Sequence, residues 1–179
     1  MKTHTTQKKP APPLDNRRLR DLALHYAGRY ATTRAKLSTY LQRKIRDRGW
    51  KEDEPYADLT ELVNGFAELG YVNDAAFADS KARSFVRRGY GARRLEQELQ
   101  AAGIEDSDAL NAREETAASA HASADAFARR KRIGPYAADL ASPDLKQKQL
   151  AGFMRAGHSF DLARRFVQAA PGEEIDAAE

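Results

Sequence analysis

The sequence predicts an all-α protein, an elongated, curved stack of three tandem three-helix modules. Three observations carry this expectation. Apolar residues recur at helical rather than alternating spacing. Capping residues and glycines punctuate the chain at helix-length intervals. A helix with apolar residues four apart recurs as Leu37/Leu41, Leu95/Leu99 and Leu150/Met154, each pair leading to a glycine, as degenerate repeats do. Such repeats stack on their neighbours to bury a continuous core.

Residues 1–13 are polar, hold Lys8, Lys9 and three prolines, and lack periodicity, so they read as a disordered lead-in. The first module spans 14–72. Leu19, Leu22, Ala23, Tyr26 and Tyr30 mark its first helix. Thr32 or Thr33 caps a second helix carrying Leu37, Leu41 and Ile45 and ending near Gly49. Asp58 and Glu61 have the spacing of a capping pair and open a third helix through Leu62, Phe66 and Leu69.

The second module spans 73–135. Gly70 suits the left-handed position that closes a helix, and Asn73 or Asp74 caps the next one. That helix gathers Phe77, Ala78, Ala82, Phe85 and Val86 on one face, with Arg83 and Arg87 opposite and Lys81 and Arg88 at its border. Gly89 and Gly91 bracket Tyr90 as a hinge, and Leu95 and Leu99 form the seam of a helix that Gly103 stops. A third, alanine-rich helix runs from near Ser107 toward Ile133, its thin stripe made of Leu110, Ala117, His121, Ala124 and Phe127, and Gly134-Pro135 ends it. The third module spans 136–170: Ser142-Pro143 opens one helix and Ser159 caps the last, through Leu162, Phe166 and Val167. Residues 171–179 read as a frayed acidic tail.

Composition excludes several classes of function. Among 179 residues there is no cysteine, so disulfide and thiolate chemistry are absent, which fits a reducing cytoplasm. No apolar run approaches the ~20 residues of a membrane span. His4, His25, His121 and His158 lie far apart without ligand spacing, so no metal is expected, and no nucleophile–base set stands out. Gly89-Tyr90-Gly91 lacks the strand and third glycine of a dinucleotide loop and the Gly-Lys ending of a P-loop. The carboxylates between Glu105 and Glu115 suit the start of a helix and its dipole better than acid–base work. The chain therefore reads as a non-enzyme without cofactor.

Its charge is informative by placement. The net charge is +4, but Lys81 to Arg94 holds six basic residues and no acidic one. Arg87, Arg88, Arg93 and Arg94 crowd Tyr90, so two helices deliver charge to one place, as at an anion site. Arg129, Arg130, Lys131 and Arg132 form a second cluster at a helix C-terminus, where cations are favoured in any case. Arg29, Arg34 and Lys36 stand where the first module repeats the Arg87–Arg94 hinge, and regular stacking would line these patches along one concave side. Trp50 and the tyrosines read as core or inter-module residues in preference to base-stacking platforms.

Gly70-Tyr71-Val72-Asn73-Asp74-Ala75-Ala76-Phe77-Ala78, then Arg88-Gly89-Tyr90-Gly91-Ala92-Arg93-Arg94-Leu95, then Glu98-Leu99 and Gly103-Ile104, resemble the signature of the RecX family, bacterial regulators of the RecA recombinase. Asn73 stands where that family more often has Asp, and Gly157-His158-Ser159 where it more usually has Gly-Phe-Ser. The resemblance runs from about Arg17 to Gln168 and is strongest in the second module. It implies tandem three-helix modules, a cytoplasmic monomer, and docking onto RecA filaments on single-stranded DNA, with duplex DNA a further partner. It also implies suppression of recombinase, ATPase and coprotease activity in DNA repair and the SOS response. The alternative is a duplex-DNA-binding transcriptional regulator, with Gln97 and Gln100 beside Arg93 and Arg94 as base readers. A purely structural scaffold is a third reading.

Overall fold

The computed structural model describes residues 11–177. Among them the chain forms nine α-helices, one 3-10 turn and no strand; only an isolated parallel bridge joins Leu14 to Trp50. The helices are α1 (Asn16–Arg29), α2 (Arg34–Arg48), α3 (Leu59–Glu68), α4 (Asp74–Arg87), α5 (Ala92–Ala101), α6 (Asp106–Ala118), α7 (Ala120–Lys131), α8 (Pro143–Ala156) and α9 (Phe160–Gln168). They divide into two compact units, Met1–Asn73 and Asp74–Glu179.

In the first unit, α1–α3 enclose Leu14, Leu19, Ala23, Leu37, Leu41, Ile45, Val63, Phe66 and Val72. The caps are the expected side chains: Thr33 accepts from the Lys36 amide, and Asp58 from the Thr60 and Glu61 amides. Asp15 does the same for α1. Trp50 is half-buried against this core and donates its indole N–H to the Glu54 carbonyl at 3.2 Å. Of the expected N-terminal tail, residues 1–10 lie outside the described residues. The rest is held: Arg48 donates to the Pro12 carbonyl, Arg18 to the Pro13 carbonyl, and Leu14 is fully buried.

The second unit has two cores. Ala78, Ala82 and Phe85 of α4, Leu95 and Leu99 of α5, and Ala109 and Ala112 of α6 form one; Ala124, Phe127, Phe153, Ala163, Phe166 and neighbours from α7–α9 form the other. Four expectations are corrected here. The long helix from Ser107 to Ile133 is two helices that part at Ser119, and the second, α7, packs into the core of α8 and α9. Leu110 is 56% exposed; α6 instead buries Ala109, Ala112 and Thr116. Those small side chains face the equally small Ala78 and Ala82 of α4, so the two helices approach closely and a leucine has no place between them. In α8 the core residues are Phe153 and Ala156, while Leu150 and Met154 are half-buried. The acidic tail is docked as far as Asp176: Ile175 packs on the second core, Gly172 donates to the Pro135 carbonyl, and Arg165 to that of Asp176.

The two cores of this unit are joined end to end. The Gly91 amide, at the start of α5, donates to the Ala156 carbonyl at 2.9 Å, and the Arg93 amide to Gly157 at 3.1 Å. The unpaired donors of one helix start thus satisfy unpaired acceptors of another helix end. A Cβ on Gly91 would lie 2.4 Å from the Gly157 oxygen, and one on Gly157 (φ 94°) 2.4 Å from the Arg94 nitrogen. Gly89 (φ 69°) is as close to α7, where a Cβ would meet the Phe127 nitrogen at 2.7 Å. The expected hinge is therefore a closed joint. Gly91→Ala adds one methyl at an ordinary backbone angle and should destabilise by about 1–3 kcal/mol through overpacking. Gly28→Ala, on α1 with no atom within 4 Å of its Cβ, should be neutral or stabilise by up to about 1 kcal/mol. Urea midpoints of the two variants against the parent test this.

Candidate functional site

The joint fixes where the basic side chains go. α4 ends at Arg87, the chain turns through Arg88–Gly91, and α5 restarts at Ala92, so Arg87, Arg88, Arg93 and Arg94 surround one tight turn, all exposed. Arg130, from the last turn of α7, reaches the same turn and donates to the Arg88 carbonyl. Its guanidinium lies 5.9 Å from the Tyr90 ring centre, and that of Arg88 lies 5.1 Å from it. Tyr90 is half-buried, packed on Phe85 at 5.3 Å, and so acts as a spacer shared by two arginines, not as a free ring. Arg155, two residues before Gly157 in α8 and exposed, adds a cation that the sequence reading did not single out. Its signal was the Gly157 turn, whose contact with Gly91 brings the end of α8 to the start of α5.

Ion pairing divides the expected site residues. Lys81 binds Glu98 at 2.8 Å, Arg83 lies 4.0 Å from Glu115, and Arg129 pairs with Asp125 and donates to the Tyr136 hydroxyl. Tyr136 in turn donates to Asp125, and that bond together with burial raises its pKa. Arg113 clamps Glu96 through two bonds, 2.9 and 3.0 Å, and Asp106 at 2.8 Å; the guanidinium holds the Glu96 carboxyl below the usual carboxylate range. Glu96 and Glu98 of α5 and Asp106 and Glu115 of α6 are thus committed to Lys81, Arg83 and Arg113. Among the described residues Arg87, Arg88, Arg93, Arg94, Arg130, Lys131 and Arg132 have no ion pair. Arg29, Arg34 and Lys36 belong to the first unit, where Arg29 lies 5.6 Å from the Tyr30 ring centre.

The placement of Arg93 and Arg94 is informative. Both stand in the first turn of α5, which has no acidic residue there. A cation at the positive end of the helix dipole costs roughly 0.3–1 kcal/mol. Arg87 and Arg155, by contrast, sit at helix C-termini, where the dipole favours them. For Arg93 and Arg94 that cost is offset by α8, whose Ala156 and Gly157 carbonyls accept from the Gly91 and Arg93 amides and set the negative end of the α8 dipole beside the same turn.

The structural motif residues end helices and fill cores. Asn73 immediately precedes α4, and Asp74 and Phe77 are buried in it. Gly70 (φ 77°) and Gly103 (φ 67°) close α3 and α5, and Leu95 and Leu99 are 1% exposed. His158 completes the joint. It is 2% exposed, its Nε2–H donates to the Gly89 carbonyl at 3.2 Å, and Phe127 and Phe153 flank its ring. Burial depresses its pKa, and the bond to Gly89 only partly offsets that.

Fold and site together define a class: an all-α protein of tandem three-helix modules that presents an uncompensated arginine surface. The comparisons place the chain within it. A family model described as the second three-helix domain of RecX matches residues 73–112. The regulatory protein RecX of Myxococcus xanthus is 31% identical over 161 residues, covering 86% of each chain. That of Agrobacterium fabrum is 30% identical, covering 88% of this chain and 85% of its own. The crystal structure of RecX from Lactobacillus salivarius shares the fold, with a TM-score of 0.59 and 21% identity over 85% of this chain and 94% of that one. The chain belongs to the RecX family of regulatory proteins. No helix among the described residues is long and apolar enough to cross a membrane.

The depressed pKa of His158 sets a pH dependence. Its neutral form is favoured by folding, so the stability it contributes is full above the free-histidine pKa of about 6.5. It is lost as the pH falls from there toward the lower folded value. Urea midpoints between pH 8 and 5.5 should therefore fall with acidification in the parent, and His158→Phe should flatten that slope.

Proposed function

We propose that this chain is a non-enzymatic regulator that docks, as a single chain in the cytoplasm, onto RecA filaments assembled on single-stranded DNA and restrains them. It lowers ATP hydrolysis, strand exchange and coprotease activity in DNA repair and the SOS response. Membership of the RecX family supports RecA as the partner. The observation that carries the reading is the convergence of Arg88 and Arg130 on Tyr90, beside Arg87, Arg93 and Arg94 without ion pairs. Guanidinium forks suit the carboxylates of an acidic protein surface and the phosphates of a DNA backbone alike. Arg83, Lys81 and Arg129 join this surface as paired members, and Lys131 and Arg132 extend it.

The duplex-reading alternative fits less well. A recognition helix brings its N-terminal end into the groove; the first turn of α5 exposes Arg93 and Arg94, but its Gly91 and Arg93 amides are bonded to α8, which stands at that end. Gln97 and Gln100, though exposed, lie beyond that first turn.

The test is ATP hydrolysis by the host's RecA on single-stranded DNA, titrated with this protein and with Arg87→Glu/Arg94→Glu. Inhibition at or below stoichiometric amounts is expected, at least tenfold weaker for the variant at unchanged thermal stability. Absence of any effect on hydrolysis or filament binding contradicts the proposal, as does equal inhibition by the variant.

A further inference from the structure

The first unit carries a second concentration of charge that is independent of the Arg87–Arg94 turn. α1 holds four basic residues and one acidic, and α2 six and one, while α3 has two acidic residues and no basic one. Into this basic helix pair the fold inserts a row of tyrosines. Tyr26 and Tyr40 stack with ring centres 4.1 Å apart and planes within 15° of parallel, and Tyr30 leans on Tyr26 at 5.3 Å with its plane tilted by 51°. Three cations border the row: Arg29 lies 5.6 Å from the centre of Tyr30, and Arg43 and Lys44 lie 5.8 and 5.5 Å from that of Tyr40.

The inner and outer rings differ in what explains them. Tyr26 and Tyr40 pack against the core of this unit, so folding accounts for both. Tyr30 does not belong to that packing. It is the C-cap of α1 in an extended conformation, 50% exposed, its ring tilted against the edge of the stacked pair at Tyr26. An exposed aromatic ring buttressed by other rings and bordered by cations is the arrangement by which proteins hold unpaired bases while following the backbone. Duplex bases are already stacked and offer such a ring no face.

We infer that Tyr30, backed by Tyr26 and Tyr40 and bordered by Arg29, Arg43 and Lys44, is a stacking site for a base of single-stranded nucleic acid. The site gives the protein a preference for unpaired strands in the absence of any filament. It does not depend on docking to RecA, and the experiment contains none.

The experiment is fluorescence anisotropy of the full chain with three labelled probes of equal length: an oligothymidylate, the same backbone with abasic residues, and a duplex. The parent should bind oligothymidylate more tightly than the abasic strand. Tyr30→Ala should weaken oligothymidylate binding by about 5- to 150-fold, leave the abasic strand and duplex unchanged, and be rescued by Tyr30→Trp. Arg43→Gln should weaken all three alike and lower the salt slope by about one. The inference is overturned if Tyr30→Ala binds oligothymidylate as the parent does. It is overturned equally if the loss is the same on all three probes, or if the parent does not bind oligothymidylate.

Discussion

The carbonyls of Ala156 and Gly157 end α8 by accepting the amide protons of Gly91 and Arg93 at the start of α5, and the arrangement of the second unit depends on that exchange. Helix ends normally find water or a capping side chain. Here neither helix provides one at this point: Gly91 offers no side chain, and Gly157 closes α8 in the left-handed conformation. The two glycines are close because each leaves room for the other's backbone, and Gly89 leaves room for α7 in the same way. His158 then seals the joint through the Gly89 carbonyl. Three glycines and one buried histidine thereby tie two hydrophobic cores into one body.

From that constraint follows the electrostatic pattern. Because α5 begins where α8 ends, arginines from the ends of α4, α7 and α8 and from the first turn of α5 are carried to the same region by backbone alone. The carboxylates that might neutralise them are spent elsewhere, Glu96 and Asp106 on Arg113 and Glu98 on Lys81. The result is a cationic surface on a stiff support. A stiff support removes the backbone part of the ordering cost on binding.

Much of the fold was legible because helix signals are local. Asp58, Thr33, Ser142 and Ser159 cap the helices they were expected to cap, and Gly49, Gly70, Gly103 and Gly157 end theirs. What escaped is set by packing. Nothing in the alanine-rich run from Ser107 to Ile133 announces a break at Ser119, because alanine favours a helix on either side of it. The choice of Ala109 and Ala112 over Leu110 depends on how near α4 comes. Arginines near Tyr90 could be grouped from their spacing; the arrival of Arg130, 42 residues on, could not. Gly89 and Gly91 were visible as special, but conformational freedom and close approach leave the same trace in a sequence; here close approach is the reason for Gly91, and both apply at Gly89.

Amide hydrogen exchange at Gly91 and Arg93 tests the central claim most directly. First-turn amides of a helix are ordinarily among the fastest to exchange, since no intrahelical acceptor protects them. If α8 caps α5, both amides should be protected to the same free energy as the core amides of Leu99 and Phe153, opening only when the whole second unit unfolds. Exchange at the rate of frayed helix ends would contradict the joint and leave the arginines around Tyr90 without a common support.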